Sequence, residues 1–171
     1  MQNYFELFDL KTSFFVDDVA LKKAYQAQVT RFHPDNFATK SQAEQLQALQ
    51  NTSLVNSAYT ALKTPLNRAS YLLNLENINP FDEKDTNMDS NFLISQIELR
   101  DQLENIKEQK DNLALDNFIE RVQDFIKDNV ASISEAFTES RDLQEIKTLV
   151  RELKFYEQLN KEANILMDEL L

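Results

Sequence analysis

Not one of the 171 residues is glycine. Tight hairpins of the Asn-Gly type need positive φ at low steric cost, and phosphate-cradling loops and Rossmann fingerprints need close backbone approach; neither is available to this chain. The remaining elements that satisfy backbone groups without such turns are helices joined by short polar connections. The chain is therefore expected to be all-α.

Charge and composition narrow the partners. The sequence holds 18 basic and 29 acidic residues, a formal net charge of -11. Residues 1–75 carry 7 Lys/Arg against 6 Asp/Glu, and residues 76–171 carry 11 against 23. An acidic surface disfavours nucleic acid and anionic membrane as partners, and the uneven split points to halves that meet different partners. Cysteine is absent and histidine occurs once, so disulfides and thiolate metal sites are excluded; no metal and no cofactor are expected. The opening "MQNYFELFDL" lacks the basic segment and long apolar run of a signal peptide, and no window is apolar enough to span a bilayer. A cytoplasmic chain is the simplest expectation.

In the first half, "YFELFDL" fits a short helix, and Asp17 and Asp18 favour the start of a second through the macrodipole. Leu21, Ala24, Tyr25, Val29 and Phe32 repeat at helical spacing, and the helix must stop near Phe32 because Pro34 pushes its predecessor out of the α region. "SQAE" at 41–44 reads as a capping box opening a third helix that runs to about Lys63; Thr64 and Pro65 then suit the N-cap and first position of a fourth. Two long helices thus flank a loop of roughly eight residues beginning at His33. Taken alone, His33 at a helix end can merely favour the dipole, and Asp35 can be a turn aspartate. An acid–base enzyme using His33 and Asp35 is disfavoured, because no nucleophile, glycine-built oxyanion loop or second histidine accompanies them.

"LKKAYQAQVTRFHPD", a loop, then "VNSAYTALKTPLNRASY" resembles the J domain of DnaJ-type co-chaperones over roughly residues 3–75. In that family a basic second helix and the His-Pro-Asp loop dock DnaK-type chaperone ATPases. The resemblance implies docking roles for His33, Pro34 and Asp35, with Lys22, Lys23 and Arg31 as electrostatic contacts. Asn36 stands where the family commonly has Lys or Arg, which removes one positive charge from that face. No Gly/Phe-rich linker or Cys-x-x-Cys zinc repeat follows, so a general DnaJ architecture is excluded. "RASYLLNL", "NFLISQIELRDQLENI" and the acidic helical end instead resemble the HscB family of bacterial iron–sulfur cluster assembly. The implied architecture is a J domain (antiparallel helical hairpin with short flanking helices) over 1–75, a linker over 76–89 and an acidic three-helix bundle over 90–171.

Within the bundle, helices are expected at about 90–108, 112–137 and 141–170. On a wheel of about 3.6 residues per turn, Phe92, Leu99, Leu103 and Ile106 form one core stripe. Leu93, Ile94 and Ile97 fall on the opposite face with Asp101 and Glu104. In the last helix Ile146, Leu149, Val150, Leu153 and Tyr156 cluster, and Phe155 lies off that stripe. Geometry leaves two readings open, burial against another part of the chain or a partner site. The resemblance implies the second: Leu93, Ile94, Ile97, Glu98, Asp101 and Phe155 would bind an IscU-like scaffold, while the J domain would stimulate an HscA-like DnaK-type chaperone. A cluster itself cannot be held by a chain with no cysteine and one histidine. The rivals are a J protein serving another client through a general DnaK, and a structural adaptor in which the His-Pro-Asp turn is incidental.

Overall fold

The computed structural model describes residues 2–171, and every regular element among them is helical. The chain divides into two compact units, one ending at Leu75 and one running from Glu76 to Leu171.

The first unit holds α1 (Tyr4–Leu7), α2 (Asp18–Arg31), a 3₁₀ turn (Pro34–Phe37), α3 (Gln42–Lys63) and α4 (Pro65–Leu75). Side-chain caps begin each long helix. Asp17 Oδ1 accepts from Val19 N–H at 2.9 Å, Ser41 and Glu44 close a capping box, and the Thr64 hydroxyl accepts from Asn67 N–H at 3.3 Å. Helix α2 stops at Arg31 because His33 precedes proline and is extended, with φ -60° and ψ 137°. Antiparallel packing of α2 on α3 follows from paired contacts. Tyr25 stacks on Tyr59 at 4.1 Å, its hydroxyl donates to Asn56 at 2.7 Å, and Thr52 reaches the Phe32 carbonyl at 3.3 Å. Phe5, Phe8, Leu21, Val55, Ala58 and Leu62 form the core between them; full burial of each large member contributes about 1.5–3 kcal/mol. Arg68 is buried among these helices. Its Nη1 donates to the Leu62 carbonyl at 3.3 Å and its guanidinium lies 5.2 Å from the Phe14 ring centre. It thereby caps the end of α3, where a cation favours the helix dipole.

The second unit holds α5 (Ser90–Gln109), α6 (Asn112–Thr138) and α7 (Leu143–Leu170). These bounds lie within two residues of the expected ones. Helices α6 and α7 form the longest seam, and α5 packs on both. Phe92, Leu99, Leu115, Phe118, Val122, Leu159 and Ala163 are buried where the three meet. Without glycine, helix ends still need left-handed residues. Asp9, Lys110 and Ser140 supply them, at φ 54°, 52° and 51°. At each, the next N–H reaches back five residues: Leu10 to Phe5, Asp111 to Ile106 and Arg141 to Ala136. A non-glycine residue in this region costs about 1–2 kcal/mol, which the closed carbonyl bonds offset.

Residues 76–89, expected as a linker, belong to the second unit and lie along α7. Asp85 pairs with Lys147 and with Arg151, and Arg151 also donates to the carbonyls of Asp85 at 3.0 Å and Asn87 at 3.3 Å. Lys154 sits 4.1 Å from the Phe81 ring centre, and Met88 packs on the core. The hydrogen bond from Lys147, with the Asn87 N–H and nearby cations, holds the Asp85 carboxyl below its ordinary range. The segment is ordered by consecutive Asx turns: the Asn79, Asp82 and Asp85 side chains each accept the N–H two residues on.

Between α6 and α7, buried Asn129 donates to Glu152 at 3.4 Å, and its own Oδ1 lacks a partner. Burial, with the Asp89 charge nearby, raises the Glu152 carboxyl above its ordinary value. The wild-type contribution of Glu152 is thus fully present below that ordinary value and is lost as pH rises through the raised one. Glu152→Gln removes the buried charge and supplies an amide donor for Asn129 Oδ1. Thermal unfolding is expected to show a gain of about 1 kcal/mol at neutral pH, a few degrees in Tm, fading at about pH 4. An unchanged or lower Tm at neutral pH contradicts this account.

Candidate functional site: two docking surfaces

The His33-Pro34-Asp35 turn is rigid in its backbone and open in its side chains. His33 is the N-cap of the 3₁₀ turn: its Nδ1 accepts from the Asp35 N–H at 3.2 Å. With Nδ1 accepting, the neutral ring carries its proton on Nε2, which remains available to a partner as a donor. Asp35 Oδ2 lies 3.6 Å from the same Nδ1, and the two side chains are 54% and 92% exposed. Among the described residues the Asp35 carboxylate meets only the His33 ring, and it stays open to solvent. Asn36 closes the turn, donating from Nδ2 to the Thr30 carbonyl at 2.7 Å and from its N–H to the His33 carbonyl at 3.0 Å. The polar residue where a cation was expected therefore has a structural task, satisfying a carbonyl at the end of α2.

The cations of α2 are not gathered on one face. Lys22, Lys23 and Arg31 are all exposed, but their positions spread over about half the helical wheel. Lys23 points opposite the buried stripe, and Lys22 and Arg31 flank that stripe on different sides. Arg31 also covers the Phe32 ring, with its guanidinium 5.3 Å from the centre. Only Arg31 adjoins the turn in sequence, and the two lysines lie more than two turns of helix away. A feature the sequence reading missed borders the turn instead: a groove of about 660 Å³ lined by Phe32, Pro34, Phe37, Leu46, Ala48 and Leu49. Leu46 and Leu49 are 55% and 63% exposed. Their signal was available, since both lie away from the Ala48, Val55 and Leu62 stripe of α3.

In the second unit, Leu93, Ile94 and Ile97 are 43%, 54% and 62% exposed on one side of α5. Their i, i+3 and i+4 spacing makes them neighbours, and Glu98 and Asp101 continue the same rows. Both carboxylates are exposed and neither has an ion-pair partner among the described residues. Phe155 does not join this surface. It is buried, packed edge-on against Phe92 at 5.7 Å and covered by the guanidinium of Arg100 at 5.4 Å. The wheel placed Phe155 off the α6-facing stripe correctly, but α7 is flanked on two sides, and α5 occupies the second. Arg100, which covers that ring, is a residue the sequence reading left out.

Among the described residues no group of three or more His, Asp or Glu is placed to hold a metal ion. No helix among them is long and apolar enough to cross a membrane.

Comparison with known proteins bears on both units. A family model described as the HSCB C-terminal oligomerisation domain matches residues 88–164. A co-chaperone protein HscB homolog of Aliivibrio salmonicida is 39% identical over 170 residues, 99% of each chain. The structure of the chaperone HscB from Vibrio cholerae aligns with a TM-score of 0.88 at 37% identity, covering 99% of this chain and 100% of that one. The human co-chaperone protein HscB aligns with a TM-score of 0.89 at 30% identity, covering 96% of this chain and 82% of that one.

Proposed function

The chain belongs to the HscB family of co-chaperones, which are not themselves enzymes, and on that premise we propose that it delivers an IscU-like iron–sulfur scaffold to an HscA-like DnaK-type chaperone in the cytoplasm and stimulates that partner's ATP hydrolysis. The carrying observation is the turn: His33, Pro34 and Asp35 are held in one backbone shape by the cap and by Asn36, while the His33 ring and Asp35 carboxylate stay exposed. A rigid turn loses little entropy on docking. The exposed ring donor and carboxylate suit recognition of a protein surface. Attack on a substrate would need a nucleophile beside them.

The J domain (1–75) would engage the ATPase, and the bundle (90–171) would hold the scaffold through Leu93, Ile94 and Ile97, with Glu98 and Asp101 as a charged rim. Carrying both partners on one chain raises the scaffold's effective concentration at the chaperone to about the millimolar range. Hydrolysis would then trap the scaffold in the chaperone and promote cluster transfer to acceptors. The experiment is steady-state ATP hydrolysis by the HscA-like chaperone with this protein, with and without scaffold. Stimulation that rises cooperatively with scaffold is expected. Stimulation of a general DnaK alone, indifferent to scaffold, would keep the J domain and discard the client; no stimulation of either would leave the turn as only a turn.

The family model's description favours a second reading of the same patch, self-association of the bundle. Sedimentation of the protein alone decides it: a dimer that the scaffold does not dissociate supports that reading over the first.

A further inference from the structure

Arg100 lies between the exposed surface of α5 and the ring of Phe155. Its Nη1 donates to Glu162 Oε2 at 2.9 Å while its guanidinium covers the ring. On α5, Leu93, Ile97 and Arg100 are spaced i, i+4, i+7 and form one ridge. On α7, Glu162 follows Phe155 by seven residues, so both face the same neighbour. The apolar strip of Leu93 and Ile97 would thus run on into Phe155 if the guanidinium did not lie across it. As it lies, Phe155 is only 8% exposed. The covering pair is itself half-exposed, 48% for Arg100 and 49% for Glu162, and ion pairs at that exposure are weak. The surface is also polarised. On the wheel of α5, Arg100 bounds the apolar residues on one flank and Glu98 on the other, with Asp101 and Glu104 within the same arc one or two turns further along the helix.

We propose that Arg100 is a movable latch on the scaffold-docking surface, held over Phe155 by Glu162. The scaffold binds with the guanidinium swung off the ring and onto a scaffold carboxylate, and Phe155 then joins Leu93, Ile94 and Ile97 in the desolvated centre. The latch rests on the scaffold reading of this patch and adds the partner's chemistry. The fitting surface is apolar at its centre, with basic residues opposite Glu98 and Asp101 and an acidic residue within reach of the released Arg100 guanidinium. A ligand shifts such an equilibrium only by binding one state better, and the open state alone offers it both the ring and a free guanidinium.

The test is calorimetric titration of the full chain with an IscU-like scaffold. Because the ion pair is exposed, Glu162→Gln is expected to tighten binding by about two- to fivefold. In an Arg100→Gln background the same change is expected to do nothing. An unchanged or weaker Kd for Glu162→Gln overturns the latch. Tightening that persists without Arg100 overturns it too, since that is charge repulsion alone. Ile97→Ser separates the two levels: if it binds like wild type, the docking surface lies elsewhere and both readings fall. If Ile97→Ser loses binding while Glu162→Gln changes nothing, the latch alone falls. A chain that self-associates more tightly as Glu162→Gln, with scaffold binding unmoved, overturns the choice of partner.

Discussion

The His33→Gln variant is expected to fold like the wild type and to stimulate no ATP hydrolysis by its chaperone partner. The folded state asks little of the imidazole. It is 54% exposed, and among the described residues its Nδ1 accepts only the Asp35 N–H, at 3.2 Å. Losing an exposed hydrogen bond of this kind costs about 0.5–1.5 kcal/mol at most. The other closures of the turn remain: Asn36 to the Thr30 carbonyl, the Asn36 N–H to the His33 carbonyl, and the Lys40 N–H to the Phe37 carbonyl. Docking asks far more of the ring, because its Nε2–H is a planar, rigid donor fixed beside a free carboxylate, and glutamine's longer chain must be immobilised to imitate it. Anchors of this sort cost 2 kcal/mol or more when altered, about thirtyfold in affinity. Under subsaturating conditions that removes measurable stimulation. The check is the chaperone's steady-state ATPase rate beside a circular dichroism melt. A variant with a wild-type melt and wild-type stimulation would falsify the role given to the turn.

What the sequence made legible follows the range of its signals. Helix starts are written within four residues, by side chains that accept local N–H groups. Asp17, Ser41 with Glu44, and Thr64 before Pro65 were readable for that reason, and the structure shows each cap closed. Helix stops carry a weaker local mark, although the expected ends near 32, 108 and 137 fall within a residue of Arg31, Gln109 and Thr138. The usual mark is glycine, and here Lys110 and Ser140 take the left-handed position with no compositional sign. Residues 76–89 read as a tether because neither helical nor strand period runs through them. Their order comes from Asx turns at 79, 82 and 85 and from cations about sixty residues later on α7, which no local window contains. Phe155 shows the same limit. A wheel locates one buried stripe per helix, but α7 is flanked by two neighbours, and only the packing tells which outward angle faces water. The cations of α2 show the reverse case, where the spacing was readable and the wheel, applied to Lys22, Lys23 and Arg31, already spreads them apart.

The second large effect is expected at α5. Replacing Leu93 and Ile97 together with serine should leave the fold intact and weaken scaffold binding by a hundredfold or more. These side chains are 43% and 62% exposed, so the folded bundle gains little from them, and surface substitutions of this kind usually lie within about 0.5 kcal/mol. In a docked complex they would sit at the centre of the patch, where burying a Leu or Ile side chain is worth about 1.5–3 kcal/mol each. The summed loss of about 3–6 kcal/mol when both are fully buried exceeds a hundredfold, at about 1.4 kcal/mol per decade. Rim charges should behave differently. Glu98→Gln with Asp101→Asn is expected to lower the association rate and its salt dependence, with little change in the dissociation rate, because exposed carboxylates steer more than they hold. The serine pair should also leave scaffold-independent ATPase stimulation untouched, since that belongs to the His33 turn in the other unit. Calorimetric titration and the ATPase assay on one preparation separate the outcomes. Scaffold affinity retained by the serine pair removes this face from the scaffold site. If a wild-type dimer disappears in the same variant, the exposed leucine and isoleucine were holding a second copy of the chain, as the oligomerisation reading requires.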